Sequence, residues 1–197
     1  MGRMEGLSVV ECERCAELCE SRSRIVDGVG PADADVLFVG EAPGKQEDAE
    51  GEPFVGRSGN VLDEQLRAAG LDRETVRITN CVRCRPPDNR DPTNQELENC
   101  REYLDREIDL IDPEVIVTLG KVPAEHLLGR SVAVTKEVGA VEEVRIAGTP
   151  RRVLICVHPA ATLYDRSQEE PFAETIETAA EIVGATDGGG QARLGDF

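Results

Sequence analysis

Four of the seven cysteines in this chain of 197 residues are spaced like the ligands of one metal centre. A C-x2-C pair near the start is followed, after a long gap, by two further cysteines: Cys12, Cys15, Cys84 and Cys100. A tight turn can direct both sulfurs of such a pair at one centre, and thiolate sites suit zinc or iron-sulfur clusters. Cys81 and Cys84 form a second C-x2-C pair, so the spacing also fits a zinc-ribbon quartet of Cys12, Cys15, Cys81 and Cys84. The residues alone predict a metal site and leave both the ligand set and the metal open.

The cysteines also bear on where the protein works. No segment resembles a signal peptide or is apolar enough to span a bilayer, so we expect a cytoplasmic protein without membrane association. Thiols stay reduced there, and unpaired thiols commonly bind metals. Cys156 is the exception, because it lies in an apolar run and is predicted to be a small buried core residue. The length predicts a single domain at residues 1–184, expected to be monomeric, and a flexible tail at residues 185–197.

Acidic residues greatly outnumber basic ones. The chain has 39 Asp and Glu against 22 Lys and Arg, a formal net charge of −17. The acidic residues are dispersed, which predicts a solvated surface adapted to the salt-rich cytoplasm of a halophile, where charges are screened within about 3 Å at molar salt. Such a charge opposes contact with DNA phosphates unless basic residues concentrate locally. We expect such a basic island around four arginines: Arg83, Arg85, Arg90 and Arg101.

Apolar runs alternate with segments of helical periodicity along the chain. This alternation predicts a three-layer α/β/α domain with a central, mainly parallel four-stranded sheet. The predicted strands are residues 36–39, 76–79, 115–119 and 153–157. The predicted helices are residues 59–69, 93–111, 123–128 and 171–183. An antiparallel ribbon is predicted between residues 132–136 and 141–146.

Ligands of open α/β sheets bind beyond the carboxyl ends of the strands, and chemically useful residues follow the predicted strands there. Asn80 comes after the second strand and His158 after the fourth. The Gly44-Lys45 pair after the first strand lacks the spacing of a P-loop. A carboxamide suits the edge of a base, an aromatic ring such as Phe54 suits its face, and an imidazole suits a developing oxyanion. These residue types predict a nucleobase pocket.

Five short segments, in one order and at compatible spacing, carry a family resemblance. They are GEAPG at 40–44 with Glu47 and Asp48, GEPFVGRSG at 51–59, ITN at 78–80, CRPPDNR at 84–90 with Cys100, and HPA at 158–160. Over nearly the whole chain the sequence resembles the family 4 uracil-DNA glycosylases, the iron-sulfur type of archaea and thermophilic bacteria. The resemblance implies the uracil-DNA glycosylase fold. It also implies a [4Fe-4S] cluster, held by position at Cys12, Cys15, Cys84 and Cys100.

The resemblance further implies an enzyme of base-excision repair. Uracil would be flipped out of single- or double-stranded DNA and hydrolysed from its sugar, leaving an abasic site. Phe54 would stack on the uracil ring, Asn80 would bond its N3–H and O4, and His158 would face O2, where charge collects as the bond breaks. The backbone would line the pocket at Glu41, Ala42 and Pro43. With no lysine placed as a Schiff-base nucleophile, the enzyme would be monofunctional.

Several points stay open at the level of sequence. Glu41 and Glu47 are the available carboxylates, and either could orient water or instead cap the following helix. Phosphate contacts are predicted for Lys45, Arg57 and the region of Arg90. The loop at 160–164 is predicted to enter the minor groove with Leu163 as its wedge. Two alternatives remain: a zinc or iron-sulfur module that binds nucleic acid without glycosylase activity, and a glycosylase that prefers another deaminated base.

Overall fold

The computed structural model describes residues 7–185, and the predicted flexible tail lies outside them except for its first residue. The described residues form five strands: β1 (Val36–Gly40), β2 (Arg77–Asn80), β3 (Val115–Leu119), β4 (Val141–Ile146) and β5 (Thr149–Cys156). They also form eight α-helices: α1 (Ala16–Ser21), α2 (Lys45–Glu50), α3 (Arg57–Ala68), α4 (Asn94–Ile111), α5 (Lys121–Leu128), α6 (Val134–Glu137), α7 (Pro159–Thr162) and α8 (Glu169–Ile182). None of these helices combines the length and the apolar character that crossing a membrane requires.

The strands form one sheet in the order β2-β1-β3-β5-β4. Strands β1, β2, β3 and β5 run parallel, and β4 joins the edge antiparallel to β5. The predicted three-layer class is therefore confirmed, whereas the predicted number of four strands is corrected to five.

The partner of β4 was predicted wrongly. It pairs with β5 and not with residues 132–136, because Ala147 and Gly148 both have positive φ (49° and 89°) and form a two-residue hairpin turn. Residues 134–137 instead form the short helix α6, where the Ala133 N–H donates to Glu137 Oε1 at 2.7 Å.

The two faces of the sheet bury alternate residues of each strand, as the period of two along a strand requires. Phe38 of β1 packs in one core cluster with residues of α3 and α8. Leu37 and Val39 point to the other face and pack in a second cluster with residues of α4 and α5. The sheet is thus covered on both sides, and its carboxyl edge is left to the loops.

A buried ionic network fixes β2 against α4. Glu107 is completely buried and accepts from Arg77 Nε at 2.8 Å, from Thr79 Oγ1 at 2.8 Å and from Arg83 Nη2 at 2.7 Å. Arg83 Nη1 also donates to Asp27 Oδ1 at 2.8 Å. A buried charge is tolerated when it is paired and fully hydrogen-bonded, and here the pairing sets the position of the residues that follow Thr79.

Candidate active site

The carboxyl ends of β1 and β2 lie side by side, because Gly40 pairs with Asn80 in the parallel register. Asn80 is 3% exposed, and its Nδ2 has no hydrogen-bond partner within residues 7–185. A buried donor without a partner costs about 1–3 kcal/mol, so such groups in native proteins usually serve a ligand, a water or a reaction. The Asn80 amide is therefore positioned to donate to an acceptor that enters from the sheet edge.

Phe54 forms the adjacent wall of the pocket. A Cβ atom at Gly40 would lie 2.4 Å from Phe54 Cε2 and 2.4 Å from Asn80 Oδ1, so only glycine lets the ring and the amide meet the end of β1. Phe54 itself has a positive φ of 54°, an uncommon conformation for an aromatic residue. Its carbonyl accepts from Arg73 Nη2, which helps to hold that conformation.

Glu47 fixes the backbone on both sides of the pocket loop. Its Oε2 accepts from the Gly44 N–H at 2.5 Å, and its Oε1 accepts from the Phe54 N–H at 2.6 Å. Burial raises the pKa of this carboxyl, and the two backbone donors and Arg73 oppose that rise. The capping alternative is thus present in the structure, while a catalytic role for Glu47 stays a prediction. Asp48 is likewise engaged, since Oδ1 accepts from the Ser23 N–H at 2.8 Å.

His158 faces Phe54 across the pocket. The two ring centroids lie 5.7 Å apart with an angle of 33° between the planes. His158 Nδ1 accepts from the Ala160 N–H at 3.1 Å at the start of α7, so in the neutral ring Nε2 must carry the proton. Burial lowers the pKa of His158 to about 4, which keeps the ring neutral at physiological pH. The site therefore holds a neutral imidazole that can donate through Nε2.

Glu41 follows β1 directly and carries the most unusual carboxyl of the pocket edge. Its pKa is raised to about 7, first by burial and then by the neighbouring charge of Asp91 and a hydrogen bond between the two side chains. The Glu41 carbonyl accepts from the Val82 N–H at 3.0 Å, which ties the loop to the segment after β2. Beside it, Ala42 is partly buried and Pro43 is buried. Asp91 was not predicted as a site residue, because nothing in the sequence spacing links it to Glu41, fifty positions earlier.

The four predicted metal ligands lie on three separate segments that the fold brings together. Arg22 Nη1 donates to Cys84 Sγ at 2.9 Å and Nη2 donates to the Cys12 carbonyl at 2.7 Å. Asn99 Nδ2 donates to Cys15 Sγ at 3.3 Å from the same helix that carries Cys100. Thiols that receive N–H donors on their sulfurs are the donor set that iron-sulfur clusters use, so these residues fit such a group.

The pKa of Cys100 reflects the proximity of the other cysteines. The pKa of Cys100 is raised to about 11, first by burial and then by the charges of Cys84 and Cys12, against the opposing effect of Arg83. Within residues 7–185 no set of three or more His, Cys, Asp or Glu side chains is close enough to hold a single metal ion. A [4Fe-4S] cluster has a different requirement, because its ligands are distributed over several irons.

The remaining cysteines have separate surroundings. Cys19 Sγ donates to the Cys12 carbonyl at 3.4 Å beside the proposed ligands. Cys81 is fully buried, and its N–H donates to the Gly40 carbonyl at 2.9 Å. Cys156 is also fully buried in the core, as predicted.

The predicted basic island does not exist as such. Arg83 is buried in the network with Glu107, Arg90 pairs with Glu96 at 2.8 Å and with Glu17 at 3.0 Å, and Arg101 pairs with Asp105 at 2.6 Å. Of the four arginines, Arg85 alone has no ion pair within the described residues, and its Nε donates to Asn89 Oδ1 at 2.7 Å.

Two other cations near the pocket loop are better placed for an anionic ligand. Lys45 begins α2 and Arg57 begins α3, and neither forms an ion pair with any residue in the part of the chain that the structure describes. Both helix starts flank the segment that carries Phe54. The prediction of phosphate contacts therefore stands for Lys45 and Arg57 and loses its basis for Arg90.

Comparison with known proteins shows the family of the chain. The profile of the Uracil DNA glycosylase superfamily matches residues 28–180. A type-4 uracil-DNA glycosylase of Archaeoglobus fulgidus is 41% identical over 180 residues, which cover 89% of this chain and 90% of that protein. A type-4 uracil-DNA glycosylase of Thermotoga maritima is 40% identical over 184 residues, covering 89% and 91%. A type-5 uracil-DNA glycosylase of Pyrobaculum aerophilum is 29% identical over 209 residues, covering 89% and 87%. The chain therefore belongs to the type-4 uracil-DNA glycosylase family of the Uracil DNA glycosylase superfamily.

Proposed function

We propose that this protein is a DNA repair glycosylase that flips uracil out of DNA and hydrolyses the bond between the base and deoxyribose. The observation that carries the proposal is the buried Asn80 Nδ2, which has no hydrogen-bond partner among the described residues, together with the ring of Phe54 and the neutral imidazole of His158. A flat base with carbonyl groups on its edge satisfies all three at once. Family membership supplies independent support.

Recognition of uracil follows from the Asn80 amide. Nδ2 donates to uracil O4 and Oδ1 accepts from N3–H, while Phe54 stacks on the face of the ring. Cytosine presents an amine at the position of O4, so two donors would meet in a buried site. Such a mismatch in a desolvated pocket can discriminate by about 10⁴–10⁵.

Departure of the base is assisted by His158. When the bond from C1′ to N1 breaks, its electron pair stays with the base, and negative charge collects on O2. A neutral Nε2–H donates to that oxygen without first losing or gaining a proton. One preorganised donor of this kind contributes about 3–4 kcal/mol in other enzymes.

Water then adds to C1′ and loses a proton. Both oxygens of Glu47 already accept from backbone N–H groups, so we assign the orientation of this water to Glu41. A pKa of about 7 lets the Glu41 carboxyl accept a proton and release it at neutral pH. We also propose that the enzyme is monofunctional and leaves the DNA strand intact, as the family resemblance implies.

A [4Fe-4S] cluster would be held by Cys12, Cys15, Cys84 and Cys100. When bound, it would join the N-terminal segment, the loop after β2 and helix α4, and hydrolysis requires no electron from it. Arg22 and Asn99 would donate to its cysteine sulfurs. These residues would thereby hold the segment that follows Asn80 in position.

The setting we propose is a monomer in a reducing, salt-rich cytoplasm, acting on uracil in single- or double-stranded DNA. None of the seven cysteines, all of which lie within residues 7–185, forms a disulfide, which suits a reducing compartment. The net charge of −17 suits high salt, where repulsion from DNA is screened.

The test is base release by anaerobically purified protein across a salt series, with the visible absorption spectrum of the same sample. Duplexes that carry uracil, hypoxanthine or no lesion distinguish uracil release from a preference for another deaminated base. His158→Ala serves as the impaired variant, and circular dichroism verifies its fold. Uracil release that falls at least tenfold in this variant supports the proposal, whereas DNA binding without release of any base supports a binding module.

A further inference from the structure

Phe54 is held in a backbone conformation that an aromatic residue seldom adopts. Its φ of 54° lies in the left-handed region, which persists in such a residue only where the surrounding structure enforces it. The side chain is buried, and its ring faces that of His158 across the pocket. A ring that depends on a strained backbone loses its position when the restraint is removed. The groups that impose this conformation therefore also position the ring.

Arg73 holds the carbonyl side of Phe54. Its Nη2 donates to the Phe54 carbonyl, and its Nη1 donates to the Pro53 carbonyl at 3.1 Å. Its Nε donates to Asp63 Oδ1 at 2.6 Å, in the middle of α3. The planar guanidinium thus fixes two consecutive carbonyls relative to a helix, through hydrogen bonds that its charge strengthens. Because Glu47 accepts from the Phe54 N–H, a carboxylate and a guanidinium hold the two sides of this residue.

The backbone of Arg73 is itself fixed by a tight turn that precedes β2. Asp72 Oδ1 accepts from the Glu74 N–H at 2.8 Å and from the Thr75 N–H at 3.0 Å. An aspartate that bonds to the backbone in this way stabilises a turn. The restraint on Phe54 is therefore anchored both on α3 and on the turn before β2.

We propose that Arg73 is a positioning residue for base recognition, which keeps the Phe54 ring where it stacks on the extruded uracil. The inference rests on the proposed function, since it needs uracil in the pocket. The Arg73 guanidinium contacts backbone carbonyls and a carboxylate, so its effect on the base passes through Phe54. Stacking on an aromatic residue typically changes affinity by about tenfold to a hundredfold per base, and this range limits what loss of Arg73 can cost by that route.

A double-mutant cycle tests whether Arg73 acts through Phe54. Dissociation constants of the whole protein are measured for two single strands of DNA. One carries 2′-fluoro-2′-deoxyuridine, whose glycosidic bond resists hydrolysis, and the other carries a tetrahydrofuran abasic analogue. Their ratio separates the contribution of the base from that of the phosphates. The variants are Arg73→Ala, Phe54→Ala and the double variant.

Arg67→Ala is the matched control. Arg67 is exposed on the same helix as Asp63, and its Nε donates to the Asp63 carbonyl at 3.0 Å. Within residues 7–185 it has no hydrogen bond to Pro53 or Phe54. Circular dichroism verifies the fold of every variant, and single-turnover uracil release from a natural uracil-containing strand is measured alongside.

We expect Arg73→Ala to lower the preference for the uracil analogue by about tenfold. In the Phe54→Ala background the same change should alter the preference by less than about twofold, because the ring is already absent. Arg67→Ala should bind like wild type. Arg73→Lys keeps the charge but lacks the planar fork, so it should show a smaller loss in the same direction, and it carries the test if Arg73→Ala does not fold.

Two results would overturn the inference. One is an unchanged preference for the uracil analogue in Arg73→Ala and Arg73→Lys. The other is an equal loss with and without the Phe54 ring, which would mean that Arg73 acts by another route. A wild-type protein that releases no uracil from the natural strand would instead overturn the proposed function.

Discussion

Replacement of Asn80 by alanine should separate function from stability. The variant deletes two hydrogen bonds to uracil, one to O4 and one from N3–H. Loss of two such bonds in a desolvated site should cost about 3–4 kcal/mol of transition-state stabilisation, which lowers kcat/KM by about 10²–10³.

The free energy of unfolding should respond differently. Asn80 Nδ2 is buried without a partner in the described part of the chain, so its removal relieves about 1–3 kcal/mol of desolvation cost. The deleted carboxamide also loses contacts, at about 0.8 kcal/mol for each methylene-sized group. These effects nearly cancel, and the free energy of unfolding should change by less than about 1 kcal/mol.

Thr79→Val is the matched control on the same strand. Thr79 Oγ1 donates to the buried Glu107 carboxylate, so the valine variant should lose about 1–2 kcal/mol of stability. Its side chain points away from the pocket, and its kcat/KM should stay within about threefold of wild type. Urea denaturation and uracil release from one U:G duplex measure both quantities. Wild-type kcat/KM in Asn80→Ala, or a loss of more than about 3 kcal/mol of its stability, would contradict the assigned role of Asn80.

Three further predictions concern the other parts of the site. In the folded protein the pKa of His158 is about 4 against 6.5 in the unfolded chain, so the unfolded state binds more protons between these values and stability falls as pH drops through them. Between pH 7 and 5 this should cost wild type about 2 kcal/mol in urea denaturation that His158→Gln does not lose; equal pH dependence in both proteins would contradict the assignment. Glu47→Gln should lower both the melting temperature and kcat/KM, because an amide N–H would face a backbone N–H; activity lost at unchanged melting temperature would instead identify a catalytic carboxylate. Cys84→Ser should abolish visible absorption and lower the melting temperature, and Cys19→Ser should retain both; loss of absorption in Cys19→Ser would mean a different ligand set.

The sheet was predictable because its strands are buried on both faces. Residues 36–39 form a continuous apolar run and residues 115–119 a run that only Thr118 interrupts, and these runs match β1 and β3 closely. Residues 149–152 were missed as part of β5, because they pair with the edge strand β4 and include Pro150, Arg151 and Arg152. The Ala147-Gly148 turn was missed as well, since alanine rarely adopts a positive φ.

The site was predictable where its residues follow strands and form short segments. Asn80, Phe54 and His158 meet at one edge because parallel strands end there. Contacts between distant residues were not predictable, such as Asp91 with Glu41 or Arg22 with Cys84. The basic island failed for the same reason, because the carboxylates that pair with Arg83 and Arg90 are far away along the chain or on another element.

Hydrolytic release of uracil by this pocket can be tested directly. The test is mass spectrometry of the free base from a duplex with one U:G pair, with gel analysis of the same strand before and after hot alkali. We expect one free uracil for each site and a strand that breaks only after alkali. Absence of free uracil, or a strand cut without alkali, would contradict it.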